Sequence, residues 1–251
     1  MTIFYFTATG NSLYIAKRLG GKLISISQAL KSEMTTYADD AVGIVYPCHV
    51  AGVPRIVKRF IDKIKIKSNY TFAVMTYGNE ATDALEQMNK YCKAQGIAFD
   101  YMSQVLMVDN YLPMFKVEEE LALIPIKGID KAISGIICDI QERKHYILSV
   151  GFGNKFWGSV FRSGAMKITG DNADKRFSVD NACTLCGTCE KLCPINNITI
   201  SDRVIFNHHC NGCLACIHHC LTGAIHIEKE KSEVRFRNKN IEIAEIIAAN
   251  E

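Results

Sequence analysis

Eight of the chain's 11 cysteines lie between Cys183 and Cys220, in two runs of identical spacing, C-x2-C-x2-C-x3-C. The first run is Cys183, Cys186, Cys189 and Cys193; the second is Cys210, Cys213, Cys216 and Cys220, each 27 residues after its counterpart. The repeat extends beyond the thiols, since Ile198 and Ile200 fall opposite Ile225 and Ile227, and Val179 falls opposite Phe206. A duplicated unit so dense in cysteine must loop its sulfurs towards whatever they bind.

An iron-sulfur cube takes four thiolates from different directions, and a chain looping tightly over it supplies three of them at two-residue gaps. The runs resemble the bacterial ferredoxin pattern, in which the fourth cysteine ligates the other cluster when two are present. On that pattern Cys183, Cys186, Cys189 and Cys220 hold one [4Fe-4S] cluster, and Cys210, Cys213, Cys216 and Cys193 hold the second. Pro194 follows the first run as the pattern has it, but Leu221 takes the place of the second proline. Proline there shapes backbone and ligates nothing, so altered solvent access or potential is expected, with the cluster retained.

Other chemistries use similar spacings. Cys186, Cys189, Cys210 and Cys213 satisfy a zinc-ribbon pattern, although zinc would strand the other four cysteines and ignore the repeat. A c-type haem needs C-x-x-C-H, and Ile217 follows Cys216. Disulfides are a third option, but the N-terminus lacks the charged, apolar and cleavage regions of a secretion signal, so a cytoplasmic chain with thiols free for metal is expected. His208, His209, His218 and His219 flank the second run. They are expected at the surface or behind the ligands, Rieske-type ligation being the alternative.

The first hundred residues alternate strand-like and helix-like segments. Thr2 to Phe6, Lys22 to Ser27, Ala41 to Pro47, Thr71 to Tyr77 and Phe99 to Val108 read as strands. Helices are expected from Leu13 to Gly20, from Val53 to Lys65 and from Glu80 to Gln95. Such alternation implies a doubly wound parallel sheet with ligands outside the carboxyl ends of its strands. The loops there are Thr7 to Ser12, Pro47 to Val53, Tyr77 to Thr82 and Asp109 to Pro113. In the first, the hydroxyls of Thr7, Thr9 and Ser12 and successive N-H groups at a helix start suit a phosphate dianion. The loop has neither the Walker A lysine nor G-x-G-x-x-G, which disfavours a nucleoside triphosphate or a Rossmann dinucleotide; an ordinary capped strand-turn-helix is the alternative.

The T-x-T-G-N-S stretch, Thr7, Ala8, Thr9, Gly10, Asn11 and Ser12, resembles the FMN-phosphate loop of flavodoxins. That resemblance implies that the flavin ring lies between Pro47, Cys48, His49 and Val50 on one side and Thr76, Tyr77, Gly78 and Asn79 on the other. Tyr77 would stack on the ring and Gly78 would let backbone approach its edge; His49 or Val50 stands near the place of the tryptophan of short-chain flavodoxins. Together the two modules resemble the bacterial flavodoxin-ferredoxin fusion family over nearly the whole chain, including Asp109 to Phe115 after the fifth strand. The fold class implied is α/β, a flavodoxin-like doubly wound parallel five-stranded sheet plus a small α+β dicluster ferredoxin-like domain. The divisions expected are 1–148, an interdomain segment 149–176, the ferredoxin-like domain 177–230 and an extension 231–251.

The function implied is transfer of electrons between FMN and two [4Fe-4S] clusters, linking two-electron and one-electron partners, whether a redox protein or a small-molecule donor or acceptor. A non-catalytic iron-sulfur or zinc sensor is the alternative from another class. No acid-base pair or nucleophilic triad can be assembled from the sequence, beyond His49 and Tyr77 as proton donors beside a flavin. A net charge of +3 with dispersed basic residues argues against a nucleic-acid partner, and no apolar run has the length of a membrane span.

Between the modules, Ile126, Ile129, Ile133, Ile136, Ile137 and Ile140 recur at helical spacing. Next, Gly151 to Gly164 carries Trp157, Phe152, Phe156 and Phe161, read as an interdomain packing helix, a flavin-side shield or a partner-docking surface, with packing favoured. Ser232 to Arg237 suggests a strand, and Asn240 to Asn250 a helix that docks back. Cys48, Cys92 and Cys138 have no partner spacing and are expected as free buried thiols, Cys48 being the one placed to react or to modulate a flavin.

Overall fold

The computed structural model describes residues 1–149 and 173–251; the aromatic segment from Gly151 to Gly164 lies outside them. A six-stranded sheet forms the centre: β1 (Thr2–Tyr5), β2 (Lys22–Ser25), β4 (Ala41–Pro47), β6 (Tyr70–Tyr77), β7 (Tyr101–Leu106) and β8 (Tyr146–Ile147). Its order is β2-β1-β4-β6-β7-β8, with every pairing parallel. Without the short edge strand β8 this is the 2-1-3-4-5 order of flavodoxin-like doubly wound sheets. The expected sheet of five strands is thus extended by a two-residue edge too short to carry a periodic signal. Likewise β3 (Thr36–Ala38) and β5 (Lys65–Lys67) form a separate parallel pair whose polar sequences gave no strand signal.

Helices cover both faces, which is why β4 and the centre of β6, Phe72 to Met75, are apolar runs. On one face Val42, Ile44, Tyr46, Ala73 and Met75 pack against Ile56, Val57 and Phe60 of α3 (Arg55–Lys63) and Leu85 and Met88 of α4 (Ala84–Ala94). On the other, Val45, Phe72 and Val74 meet Leu13, Ile15 and Ala16 of α1 (Asn11–Leu19) and Ile133, Ile136 and Ile140 of α6 (Ile129–Gln141). The isoleucine stripe therefore buries as expected from Ile129 onward, whereas Ile126 is 79% exposed in a short 3-10 turn. Gly43 of β4 leaves room for the Phe72 ring of β6, since a Cβ there would stand 2.2 Å from that ring. Gly43→Ala is expected to destabilise the fold by about 1–3 kcal/mol, read from the urea midpoint; an unchanged midpoint would mean that Phe72 can swing aside.

Two expectations fail for local reasons. The strand read through Ser27 stops at Ser25, because the Ser25 hydroxyl accepts the Ser27 N-H at 3.1 Å and opens α2 (Ile26–Lys31), as a helix-capping serine does. No strand forms over Ser232 to Arg237. There the Val234 N-H goes to the Ser232 hydroxyl and the Phe236 N-H to His218 Nδ1, so side chains take the place of a neighbouring strand.

The cysteine-rich module repeats element by element. β9 (Phe177–Val179), α7 (Thr188–Lys191) and β10 (Ile198–Ile200) recur 27 residues later as β11 (Val204–Phe206), α8 (Ala215–His218) and β12 (Ile225–Ile227). The halves are interlocked, because β9 pairs antiparallel with β12 and β10 with β11. Left-handed φ values also recur at matching positions: Leu185, Gly187 and Asn196, then Gly212, Leu214 and Gly223.

This module shares a core with the sheet side, where Val108, Leu112 and Val117 of the segment leading into α5 (Val117–Ala122) pack with Ile217, Ile225, Ile227 and Phe236. The tail returns across both parts as α9 (Ile243–Ala248), opened by a Glu242/Glu245 capping box. Ile241, Ile246 and Ala249 bury beside α1, and Asn250 accepts from the Ser27 hydroxyl and donates to the Leu192 carbonyl.

Candidate functional site

A cavity of about 550 Å³ opens at the carboxyl ends of β1, β4, β6 and β7, bounded by all four loops expected there. Thr7, Ala8, Thr9, Asn11, Ser12, Pro47, Cys48, His49, Val50, Thr76, Tyr77, Gly78 and Asn79 line it. Gly10 does not. Its left-handed φ of 98° turns the loop into α1, and a Cβ there would stand 3.0 Å from Asn238 Cβ and 3.1 Å from Ile241 Cβ, so the tail packs directly on the back of the loop.

Every loop hydroxyl already has a partner. Thr7 Oγ1 accepts from the Gly10 N-H at 3.0 Å, Thr9 Oγ1 accepts from Asn110 Nδ2 at 2.7 Å, and Ser12 Oγ stands 2.9 Å from Thr76 Oγ1. Because a hydroxyl that accepts one bond keeps its own proton to donate, Thr7 and Thr9 hold O-H donors ready for an anion. The first turn of α1 carries no acidic residue and no side-chain cap, leaving its N-H groups and the positive end of its dipole on the same side.

The loop after β4 is strained. His49 and Gly52 exchange backbone hydrogen bonds of 3.0 and 2.9 Å around Val50 and Ala51, whose φ values are 49° and 55°. Two-residue turns of this kind favour Asn-Gly, and a β-branched residue at positive φ costs on the order of 1–3 kcal/mol. His49 packs edge-on to Phe6, and burial lowers its pKa to about 4. Since the folded value lies below the ordinary 6.5, the His49 contribution to stability is complete above pH 6.5 and is lost as pH falls towards 4. His49→Phe is expected to flatten that part of the urea-stability curve; an unaltered slope would place the proton elsewhere.

The opposite wall is built on buried charge. Gly78 makes room for Asp109, whose Oδ2 would stand 2.2 Å from a Cβ at that position; the space expected for a ligand at Gly78 is thus partly taken by a carboxylate. Asp109 accepts the N-H groups of Asn79 and Tyr111 at 3.1 and 3.0 Å, and burial raises its pKa. Beneath it Glu120 accepts from Asn79 Nδ2 at 2.8 Å and pairs with Lys127 at 2.8 Å, both side chains being almost fully buried. Lys127 also donates to the Met107 carbonyl at 2.7 Å.

Cysteines of the two runs approach one another across the repeat. Cys193 of the first run lies near Cys210, Cys213 and Cys216 of the second, and Cys220 near Cys189. Burial pushes the thiols of Cys189 and Cys210 up to about 11. Backbone N-H groups donate to sulfur, from Asn197 to Cys193 at 3.1 Å and from Gly212 to Cys210 at 3.3 Å. Among the described residues no three Cys, His, Asp or Glu side chains are grouped closely enough to hold a metal ion.

Of the flanking histidines, His208 and His209 are exposed as expected, whereas His218 and His219 are 4% and 5% exposed. His218 joins three parts of the chain: Nε2 donates to the Asn110 carbonyl at 2.8 Å and Nδ1 accepts from the Phe236 N-H at 3.2 Å. That pairing fixes a neutral ring, and burial lowers its pKa to about 3. Asn110 in turn holds Thr9 of the first loop. The cavity wall is closed by Gly212, Cys213 and Leu214, a contact that sequence reasoning missed because nothing local marks one of two equal cysteine loops as the inward one. Cys48 also lines the cavity, half-buried, and Cys92 is buried as expected, whereas Cys138 of α6 is exposed, against the burial expected of it. Among the described residues no helix is long and apolar enough to cross a membrane.

No protein-family model and no curated protein match the chain. Solved structures similar to it include two provisionally assigned flavoproteins, each 18% identical. The one from Bacteroides uniformis has a TM-score of 0.35 over 49% of this chain and 97% of that one; the one from Bacteroides eggerthii has 0.32 over 51% and 97%. A Trp repressor binding protein from Bacillus subtilis is 13% identical, with a TM-score of 0.35 over 58% and 99%. Such distant likeness carries no functional argument; the parallel strand order itself places the sheet in the flavodoxin-like class.

Proposed function

We propose that the chain is a flavin- and iron-sulfur-containing electron-transfer protein, a flavodoxin-like domain (1–148) joined through 149–176 to a ferredoxin-like domain (177–230) with a C-terminal extension (231–251). The observation that carries this reading is one cavity wall built from Thr7–Ser12 and another from the Cys213 loop. The cavity volume suits a cofactor-sized ligand. The phosphate of FMN would be held by the free O-H donors of Thr7 and Thr9 and the N-H groups opening α1, without Gly10. Tyr77 and His49 lie where they would flank the ring. His49 is neutral above about pH 4, so it offers a hydrogen bond without adding positive charge.

For the clusters the donor set supports the reading. The approach of Cys193 to Cys210, Cys213 and Cys216, and of Cys220 to Cys189, supports the crossed ligation that the ferredoxin resemblance implies, in which Cys183, Cys186, Cys189 and Cys220 would hold one [4Fe-4S] cluster and Cys193, Cys210, Cys213 and Cys216 the other. N-H groups directed at the sulfurs of Cys193 and Cys210 would tune the potential of a bound cluster. When bound, the flavin supplies one- or two-electron exchange and each cluster a single electron, which would link a small-molecule donor or acceptor to a one-electron protein partner.

Anaerobic purification with iron, sulfide, zinc and flavin measured on one sample tests this reading. About eight irons and eight sulfides per chain with one FMN are expected. Zinc with little iron, or no FMN by absorbance and mass spectrometry, would overturn it.

A further inference from the structure

The two cysteine loops share a backbone and differ in what covers them. Left-handed residues at matching positions, Leu185 and Gly187 against Gly212 and Leu214, present the ligands alike. Around the second loop Cys210 is buried, as is the whole stretch from Leu214 to His219. Around the first, Cys186 is exposed and Leu185 is 39% exposed; Leu221, next to the crossing ligand Cys220, is 70% exposed. Only the second loop reaches the cavity, through Gly212, Cys213 and Leu214; no residue from Cys183 to Cys189 lines it, nor does Cys220. Cys213 and Ile195 also pack against the core of the sheet, while Cys216 lies near Cys189 of the other set.

We infer that the two clusters are unequal in role: Cys193, Cys210, Cys213 and Cys216 hold an inner cluster beside the flavin, and Cys183, Cys186, Cys189 and Cys220 hold an outer one through which electrons reach a one-electron partner. This inference rests on the proposed cofactors and adds their order. Two electrons and one proton leave anionic reduced FMN. The electrons pass singly to the inner cluster, then to the outer cluster and on to a one-electron carrier protein, and the proton leaves to water through the cavity mouth. Run backwards, the same route reduces the flavin. The physical ground is distance, since electron tunnelling weakens steeply with separation and only the inner ligand loop touches the flavin cavity. A repeat with two equally exposed loops would give no such order.

The test uses the full chain loaded anaerobically and reduced with dithionite, so that both clusters give electron paramagnetic resonance signals. Cys186→Ser and Cys213→Ser identify which signal belongs to which ligand set. A water-soluble gadolinium chelate is expected to relax the signal lost in Cys186→Ser and to spare the one lost in Cys213→Ser. FMN affinity provides a second readout that does not depend on turnover. Cys213→Ser is expected to weaken FMN by about tenfold, and Cys186→Ser by less than about twofold. Should the serine variants fail to fold, Leu214→Ala and Leu185→Ala form a matched pair without ligand loss, and FMN is expected to weaken only in the first. Equal gadolinium sensitivity of the two signals, or an equal or reversed effect on FMN, would overturn the order while leaving the cofactors in place. Wild-type protein that takes up FMN but no iron would instead overturn the reading beneath it.

Discussion

Cys193→Ala is expected to halve the iron content of anaerobically reconstituted protein, from about eight to about four atoms per chain, and to remove the cluster of the second cysteine run rather than that of its own. Cys193 is buried next to Cys210, Cys213 and Cys216, and its sulfur also receives the Asn197 N-H. The strand pairing brings Cys193 to the opposite half: β10, just after Cys193, pairs with β11, just before Cys210. Asn197 adds a second tie, donating to buried Asp174 at 2.8 Å and accepting the His209 N-H at 2.7 Å. Electron paramagnetic resonance on Cys193→Ala, with Cys213→Ala and Cys186→Ala as references, checks the pairing. A signal like that of Cys186→Ala would refute crossed ligation.

Lys127→Met is expected to cost about 3–5 kcal/mol, because it leaves the Glu120 carboxylate buried without its cation. The loss spreads to the cavity, since Glu120 anchors Asn79 and accepts the Asp109 N-H at 3.3 Å. Burial alone would raise the pKa of Glu120, but hydrogen bonds from Lys127 and Asn79 and the Lys127 charge outweigh it and hold the pKa below the ordinary value. A depressed folded pKa stabilises above the unfolded value and ceases to do so as pH falls through the folded one. In Lys127→Met that acid-side loss should vanish or reverse. Urea unfolding at several pH values measures both effects. Adding Glu120→Met is expected to recover most of the stability, as apolar replacement of a buried pair often does; a double variant as weak as the single one would show that packing, not charge, is at fault.

Much of the fold was legible. Strands with both faces buried must be apolar throughout, so β4 and β6 could be read within a residue of their ends. The four loops at the carboxyl ends of the sheet strands were legible for the same topological reason, and all four border the cavity. Short edge elements were not. β3, β5 and β8 have two or three residues each, too few for periodicity to register. Ser232 to Arg237 has the residue types of a strand, yet His218 and neighbouring side chains occupy the hydrogen bonds a strand would need.

By itself, the sequence determined the eight thiols and their repeat, because spacing is a local property. It could not determine which copy faces inward. Two equally spaced loops encode nearly the same local structure, and their equivalence is broken only where the chain meets another part of itself. Tertiary packing put Leu214 in one core with Val108 and Leu112, tied His218 to the Asn110 carbonyl, left Leu185 and Leu221 in water, and seated Asn238 behind Gly10. Those contacts join residues more than a hundred positions apart, and no pattern within either stretch specifies the other.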